Sequence, residues 1–205
     1  MSDYGSDNTC CFHFTKFILT AGLTALFIWL SLRTTKPSCS LENFYLPALN
    51  ISDNSNTTRS NHTLSFQLNL NNKMKDKGVR YDDIKLSFFY GTNSSFPIGN
   101  YTVPGFYQGH DKKAQKKGML ETQKMPWDAA LKMVSNGSIV VFRVDVATRL
   151  SYKVLFWYTK RHNFTVENKT MTVDGSGKSS AQQLHCYFMA FGFPLIVLFI
   201  LILLL

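Results

Sequence analysis

Two long apolar blocks enclose a polar middle in this chain of 205 residues, and this arrangement constrains its folding more than any other feature. The first block is Phe17–Leu32, between Lys16 and Arg33, and the second is Cys186–Leu205, which holds no charged residue. A helix over the first block would be about 24 Å long, which is shorter than the bilayer core of about 30 Å. If this helix spans the bilayer, the side chains of Lys16 and Arg33 must snorkel to the membrane surface. Because only these two segments could enter a bilayer, the sequence excludes a multispan transporter.

The first block fits either a cleaved signal peptide or a retained signal anchor. It is longer than many signal-peptide cores, Trp29 lies at its far end, and no clean small-x-small cleavage site follows. These features favour retention. The sequence therefore predicts a cytosolic tail over residues 1–16 and a transmembrane anchor over residues 17–33.

The second block fits either a tail anchor or the signal for a glycosylphosphatidylinositol (GPI) anchor. Three small residues, Gly175–Gly177, precede a polar spacer, Lys178–His185, of the length that GPI signals use. We therefore expect GPI attachment at Gly175 or Ser176, with residues 176–205 forming the attachment signal or a hydrophobic tail.

Asn-x-Ser/Thr sequons fill the polar middle and occur nowhere else in the chain. Eight of the fourteen asparagines head such a triplet, whereas chance placement predicts about two or three. The excess predicts an extracellular, glycosylated domain over residues 34–175. The flanking charges, Lys16 before the first block and Arg33 and Lys36 after it, argue weakly for the opposite orientation. The predicted glycosylation sites are Asn50, Asn56, Asn61, Asn93, Asn100, Asn136, Asn163 and Asn168.

The four cysteines are too few for a disulfide-stapled miniprotein. Cys10 and Cys11 lie just before the first apolar block, where they are either palmitoylation sites or idle thiols. If Cys186 leaves with the tail, Cys39 is the one external cysteine. It is then either a free thiol or a link between two copies of the chain, which would make a homo-oligomer.

The middle of the chain reads as an all-β domain. Short runs rich in Val, Ile, Phe, Tyr and Thr alternate with Gly and Asn punctuation, which predicts an antiparallel sandwich of about seven strands. The segment Ala129–Val134 fits either a helical turn or a strand. The predicted strands are Leu64–Leu70, Ile84–Tyr90, Ile139–Val146, Leu150–Tyr158 and Asn163–Val166.

No catalytic motif is present: the chain has no GxSxG, HExxH or P-loop sequence. The acid–base groupings His110-Asp111 and Asp82-Asp83 are more typical of turns. The sequence therefore predicts a protein that is not an enzyme, with no cofactor and no metal site.

The predicted ectodomain is basic, with 19 cationic residues against 11 anionic ones between positions 34 and 175. An aromatic stretch beside lysines could bind a nucleic acid, but outside the cell an acidic polysaccharide or an anionic lipid surface is the better match. The alternative is a solvated loop. The candidate binding residues are Tyr101, Phe106, Tyr107, Lys112, Lys113, Lys116 and Lys117.

Several stretches together resemble the plant non-race-specific disease resistance and harpin-induced family, whose ectodomain is of the late-embryogenesis-abundant group-two type. One departure is that Asn72-Lys73-Met74 stands where the family usually has Asn-Pro-Asn, which leaves the geometry of that loop open. The matching stretches are TAGLTALFIWLSLR (Thr20–Arg33), KPSCSLENFYLPAL (Lys36–Leu49), KDKGVRYDDIKLSF (Lys75–Phe88), GNYTVPGFYQGHDKKAQKKG (Gly99–Gly118) and VFRVDVATRLSYKVLFWYTKRH (Val141–His162).

The resemblance implies an immunoglobulin- or fibronectin-III-like sandwich at the plasma membrane, with the ectodomain facing the apoplast. It implies a non-enzymatic role in innate immunity to bacteria, in support of intracellular coiled-coil-type resistance receptors. It also implies contact between the cytosolic residues Met1–Lys16 and a disordered, membrane-tethered immune regulator. Adhesion of the plasma membrane to the cell wall is the alternative function.

Overall fold

The computed structural model describes residues 6–32, 37–53, 55–92, 96–154 and 156–179. The chain divides into two units, Met1–Thr35 and Lys36–Leu205. The elements, numbered along the chain, are α1 (Ser6–Leu32), β1 (Ser38–Asn50), α2 (Asn56–Arg59), β2 (Thr63–Asn72), β3 (Gly78–Tyr81), β4 (Ile84–Tyr90), β5 (Phe96–Val103), β6 (Phe106–Gln108), β7 (Lys112–Glu121), α3 (Trp127–Ser135), β8 (Val140–Val154), β9 (Trp157–Tyr158), β10 (His162–Val173) and β11 (Ser176–Lys178).

The first unit contains helix α1, which is 27 residues long and covers the whole of the first apolar block. Among the described residues, no helix combines the length and the apolar character that crossing a membrane requires. The second apolar block lies outside the described residues.

The second unit is built from antiparallel sheets, which confirms the all-β prediction. One sheet has four strands in the order β11-β1-β2-β7. In the other, β3 and β4 follow one another along one edge of β8, while β9 and β10 lie along its opposite edge. Strands β5 and β6 continue the sheet beyond β4 and β3.

Phenylalanines from both sheets meet in one core. Phe44 of the four-stranded sheet lies 6.2 Å from Phe88 and 5.5 Å from Phe142, both on the seven-stranded sheet. Phe66 lies 5.0 Å from Phe88. Each of these side chains is almost completely buried, and burying a side chain of this size contributes about 1.5–3 kcal/mol.

Predicted strands with strict apolar alternation lie where the sequence placed them. Leu64–Leu70 falls within β2, and Ile84–Tyr90 is β4. The predicted strand Ile139–Val146 and the first part of Leu150–Tyr158, however, form the single strand β8, because burial continues through Val146, Thr148 and Leu150. The end of the second predicted strand is the separate strand β9.

The ambiguous segment is helical, and six of the described strands were not predicted, namely β1, β3, β5, β6, β7 and β11. The alternation in β1 is interrupted at Asn43, whose φ of 52° accompanies a shift in register against β2. Asparagine tolerates this left-handed conformation better than most residues. Strand β7 is rich in lysine, which strands disfavour. The segment Ala129–Val134 lies within helix α3.

Candidate functional site

A shallow groove on the outer face of the seven-stranded sheet gathers arginines and tyrosines from distant parts of the chain. It lies at the connection between β3 and β4 and at the connection between β5 and β6, and its volume is about 1060 Å³. The interruptions occur at Asp82-Asp83 and at Pro104-Gly105, which leave a depression in an otherwise continuous surface. The side chains that the argument uses are Arg80, Lys85, Arg149, Arg161, Tyr107 and Tyr158.

Asp82 holds two of these arginines at the floor of the groove. Its Oδ2 lies 3.2 Å from Arg149 Nε and 3.6 Å from Arg161 Nη1. The aspartate backbone is fixed on both sides, because its N–H donates to the Arg149 carbonyl at 2.8 Å and its carbonyl accepts from Thr148 Oγ1 at 3.0 Å. Within the described structure Oδ2 has no hydrogen-bond partner despite being buried. The two arginines are therefore attracted to a fixed anion but keep donors for a ligand.

The groove has a positive balance and an aromatic wall. Four cations, including Arg80 and Lys85, face only Asp82 and Asp83 among the lining residues. Arg149 and Arg161 each leave 58% of their side-chain surface in solvent.

Tyr107 and Tyr158 supply the wall. The ring of Tyr107 covers Gly78, where an added Cβ would lie 2.1 Å from the tyrosine hydroxyl. Arg80 Cζ lies 5.6 Å from the ring of Tyr158. A side chain at position 78 would therefore displace the Tyr107 ring from its place over this residue.

The sequence-predicted aromatic candidates are only partly brought into this groove. Phe106 and Tyr107 line it. Phe106 also stacks on Tyr81 with ring centroids 5.1 Å apart. Tyr101 instead packs edge-on against Phe66 in the core, at 5.3 Å.

The four predicted lysines lie on β7 and do not line the groove. Because side chains alternate along a strand, Lys113 and Lys117 point away from the core while Lys112 and Lys116 lie on the opposite side. Lys116 Nζ lies 4.5 Å from the ring of Phe106. The lysines therefore occupy two surfaces.

Sequence reasoning missed Arg149, Arg161 and Tyr158. Arg149 and Arg161 lie between the predicted strands, and Tyr158 ends one of them, so the available signal was only a basic or aromatic residue inside or next to a predicted strand. That signal is common on any soluble sheet and does not indicate a site by itself.

Sequon asparagines lie at the surface wherever the structure describes them. Six of the seven are exposed and Asn50 is half-buried, while Asn93 lies outside the described residues. Asn163 is opposite Arg149 in the pairing of β10 with β8, and it lines the groove. A glycan there would compete for the same space.

The predicted GPI attachment residues belong to the folded domain. Gly175 lies in the turn before β11, and its carbonyl accepts a hydrogen bond of 2.9 Å from the Ile51 amide. Ser176 begins β11, which pairs with β1. Cleavage at either residue would remove an edge strand of the four-stranded sheet.

Cys39 is buried and disulfide-bonded. The free-thiol alternative is therefore wrong, while a link between two copies of the chain stays a prediction. The side chains of the other three cysteines lie outside the described part of the structure.

A buried polar network supports the floor of the groove. The Tyr81 hydroxyl donates to Gln108 Oε1 at 3.0 Å, and Gln108 Nε2 donates to the carbonyls of Leu70 and Lys112. Burial raises the pKa of Tyr152 to about 12. Burial, with a smaller contribution from Tyr152, also raises the pKa of Tyr81. Both tyrosines are therefore neutral structural groups at ordinary pH.

The acid–base groupings noted in the sequence, His110-Asp111 and Asp82-Asp83, lie in turns and make backbone hydrogen bonds there. Asp111, at a φ of 49°, donates its amide to the Met74 carbonyl, and Asp83 Oδ1 accepts from the Gly105 amide at 2.8 Å. No group of His, Cys, Asp and Glu among the described residues could hold a metal ion.

Comparison with known proteins identifies the family. No family model matches the chain. Over 181 residues the chain is 42% identical to Protein NDR1 of Arabidopsis thaliana, which covers 85% of this chain and 80% of that protein. Over 142 residues it is 27% identical to NDR1/HIN1-like protein 2 of the same plant, covering 66% of this chain and 55% of that protein. The chain therefore belongs to the NDR1 family of plant non-race-specific disease resistance proteins.

Proposed function

We propose that this protein is a non-enzymatic signalling component of plant innate immunity, held at the plasma membrane with a glycosylated ectodomain in the apoplast. The observation that carries the proposal is the 42% identity to Protein NDR1 over most of both chains. The polar, sequon-rich middle between two apolar blocks supports the topology. The placement of the described sequon asparagines at the surface supports glycosylation.

The proposed architecture has a retained anchor at residues 17–33 and an immunoglobulin- or fibronectin-III-like sandwich outside the membrane. Cys10 and Cys11 would carry palmitoyl groups next to the anchor. The proposed GPI attachment at Gly175 or Ser176 is tested by mass spectrometry of the C-terminal peptide of the mature protein. Mass spectrometry of peptides prepared under non-reducing conditions also identifies the partner of Cys39. An intact Leu205 would reject GPI attachment.

The proposed cytosolic contact uses Met1–Lys16 to bind a disordered, membrane-tethered immune regulator, in support of intracellular coiled-coil-type receptors. Replacing residues 2–15 by a scrambled segment of the same composition should abolish co-immunoprecipitation with the regulator. Surface biotinylation should remain unchanged, because the anchor and the ectodomain are intact. Undiminished association would refute the contact.

The groove favours a second candidate function, adhesion to an acidic wall polysaccharide. Arginine's planar fork binds carboxylates through paired hydrogen bonds, and Arg149 and Arg161 present free donors beside the ring of Tyr107. A uronic acid polymer offers carboxylates at regular intervals together with apolar ring faces.

The groove and the lysines of β7 can be separated as polymer-binding surfaces. Arg149→Gln combined with Arg161→Gln should reduce binding to polygalacturonate and weaken wall attachment on plasmolysis. The matched control is Lys113→Gln combined with Lys117→Gln, which removes the same charge from the outer face of β7. Loss of binding in the control variant alone would reject the groove as the binding site.

A further inference from the structure

Strand register brings several segments to one end of the β-domain. Ser38, the first residue of β1, pairs with Asn71 near the end of β2. Asn72 pairs with Lys112 at the start of β7, and Gly78 at the start of β3 pairs with Lys153 near the end of β8. The loops 73–77 and 109–111 and the β8–β9 hairpin therefore share this end, which we call the β1-start end.

The β1-start end combines exposed lysines with exposed aromatic rings. Lys73 and Lys75 lie in the loop after β2, and Lys112 and Lys113 begin β7; all four are exposed. At the hairpin, Phe156 leaves 91% of its surface in solvent and Trp157 leaves 60%. Large side chains so exposed on adjacent positions are uncommon on a surface that faces only water.

The lysine loops are held in place by a buried side chain. Asn72 Nδ2 donates to the Lys77 carbonyl at 2.9 Å and to the Gly109 carbonyl at 3.0 Å, while its Oδ1 accepts from the Met74 amide at 3.1 Å. The bond from the Met74 amide to Asn72 Oδ1 forms an Asx turn. The loops are thereby preorganised, which reduces the entropy lost on binding.

Few residues separate the proposed anchor from the start of β1 in the sequence. Helix α1 ends at Leu32 and β1 begins at Ser38. An extended chain covers at most about 3.6 Å per residue, so the two residues are no more than about 22 Å apart. Strand β11 also runs antiparallel to β1, with Ser176 opposite Asn50 and Lys178 opposite Tyr45, so β11 itself points towards the same end.

We propose that the β1-start end docks on the bilayer that anchors the protein, through contacts with the phosphate groups of lipid headgroups. The lysines would pair with these phosphates, and Trp157 and Phe156 would enter the interfacial layer that aromatic rings favour. The charge of the surface and its short tether favour a lipid surface over a free partner, because the tether raises the effective concentration of the bilayer. The inference rests on the proposed membrane anchor.

The test uses the full chain with Trp157 as its only tryptophan, made by Trp29→Phe and Trp127→Phe. The protein is reconstituted through its own anchor into phosphatidylcholine vesicles with 30% phosphatidylserine, in which the acyl chains are brominated close to the headgroup. Docking predicts quenching of Trp157 and a blue-shifted emission relative to detergent, both weaker in vesicles of phosphatidylcholine alone.

Charge variants establish the role of the lysines. Replacing Lys73, Lys75, Lys112 and Lys113 by Gln should at least halve the quenching, because the attraction to the headgroups is lost. The control is Lys124→Gln combined with Lys132→Gln, at the far end of the domain, and it should leave the quenching unchanged. Thermal melts confirm that each variant is folded, which is expected for substitutions of exposed side chains.

Flotation of the vesicles separates the failure of the anchor from the failure of docking. A chain that does not float with the vesicles refutes the anchor, and the docking proposal falls with it. A chain that floats without quenching, or whose quenching is the same in the four-lysine variant, refutes docking and leaves the anchor standing.

Discussion

Asn72→Ala tests whether one buried amide organises the β1-start end. The side chain of Asn72 is 0% exposed, and its three hydrogen bonds connect the end of β2 to both flanking loops. Alanine leaves the Lys77 and Gly109 carbonyls and the Met74 amide without this partner. The loop after β2 has no proline to restrain it.

The expected loss follows from these three bonds. A net contribution of about 1 kcal/mol for each hydrogen bond gives about 3 kcal/mol, since the abandoned groups lie where water has little access. For a domain of this size a loss of that order lowers the melting temperature by about 10 °C. The neighbouring Asn71 lies on the outward side of the same strand and is only half-buried. Asn71→Ala is therefore the matched control and should change stability by less than about 0.5 kcal/mol.

The assay is urea unfolding of the full chain in mild detergent, followed by circular dichroism of the β signal, with thermal melts in parallel. A shift in midpoint at constant slope reports stability alone. A loss below about 1 kcal/mol for Asn72→Ala, or an equal loss for Asn71→Ala, would refute the reasoning, because local burial would then not decide the cost.

Three further predictions follow from the core and the groove. Stability should fall above about pH 10, because the fold favours the neutral forms of Tyr81 and Tyr152 and the unfolded chain releases their protons first. Tyr152→Phe should make this alkaline fall shallower in urea unfolding measured at increasing pH. A fall that begins well below about pH 9 would contradict the assignment. Gly118→Ala should lower the free energy of unfolding in urea by about 1–3 kcal/mol, because its Cβ would lie 2.5 Å from Phe66 and 2.9 Å from Tyr101. Gly109→Ala is the control, since the nearest neighbour of its Cβ would be 3.6 Å away. Equal losses in the two variants would count against the clash. Asn163→Gln should raise the affinity for polygalacturonate, because it removes a glycan that would occupy the groove. Mass spectrometry first establishes that the unmodified sequence carries a glycan at Asn163. Equal affinities of that glycoprotein and the variant would then reject the competition.

Strands with alternating apolar and polar residues could be predicted from the sequence, because the alternation shows which side chains face the core, as in Leu64–Leu70. Strand β7 could not, since its four lysines suggest a solvated loop until its pairing with β2 shows that Lys113 and Lys117 face outward from a buried ladder. The groove was beyond sequence reasoning for a different reason. Arg80, Arg149 and Arg161 are far apart along the chain, and only the pairing of β3 and β10 with β8 brings them together.

The sequence by itself determined the family, the all-β class and the division into a polar middle between apolar ends. These features depend on composition, periodicity and long matching stretches, which require no knowledge of distant contacts. Tertiary structure alone decided which cations share a surface, that Cys39 is disulfide-bonded, and that Gly175 and Ser176 are part of the fold. The physical reason is that strand pairing joins residues far apart in the chain, and a change of one position in register would turn each side chain to the opposite face.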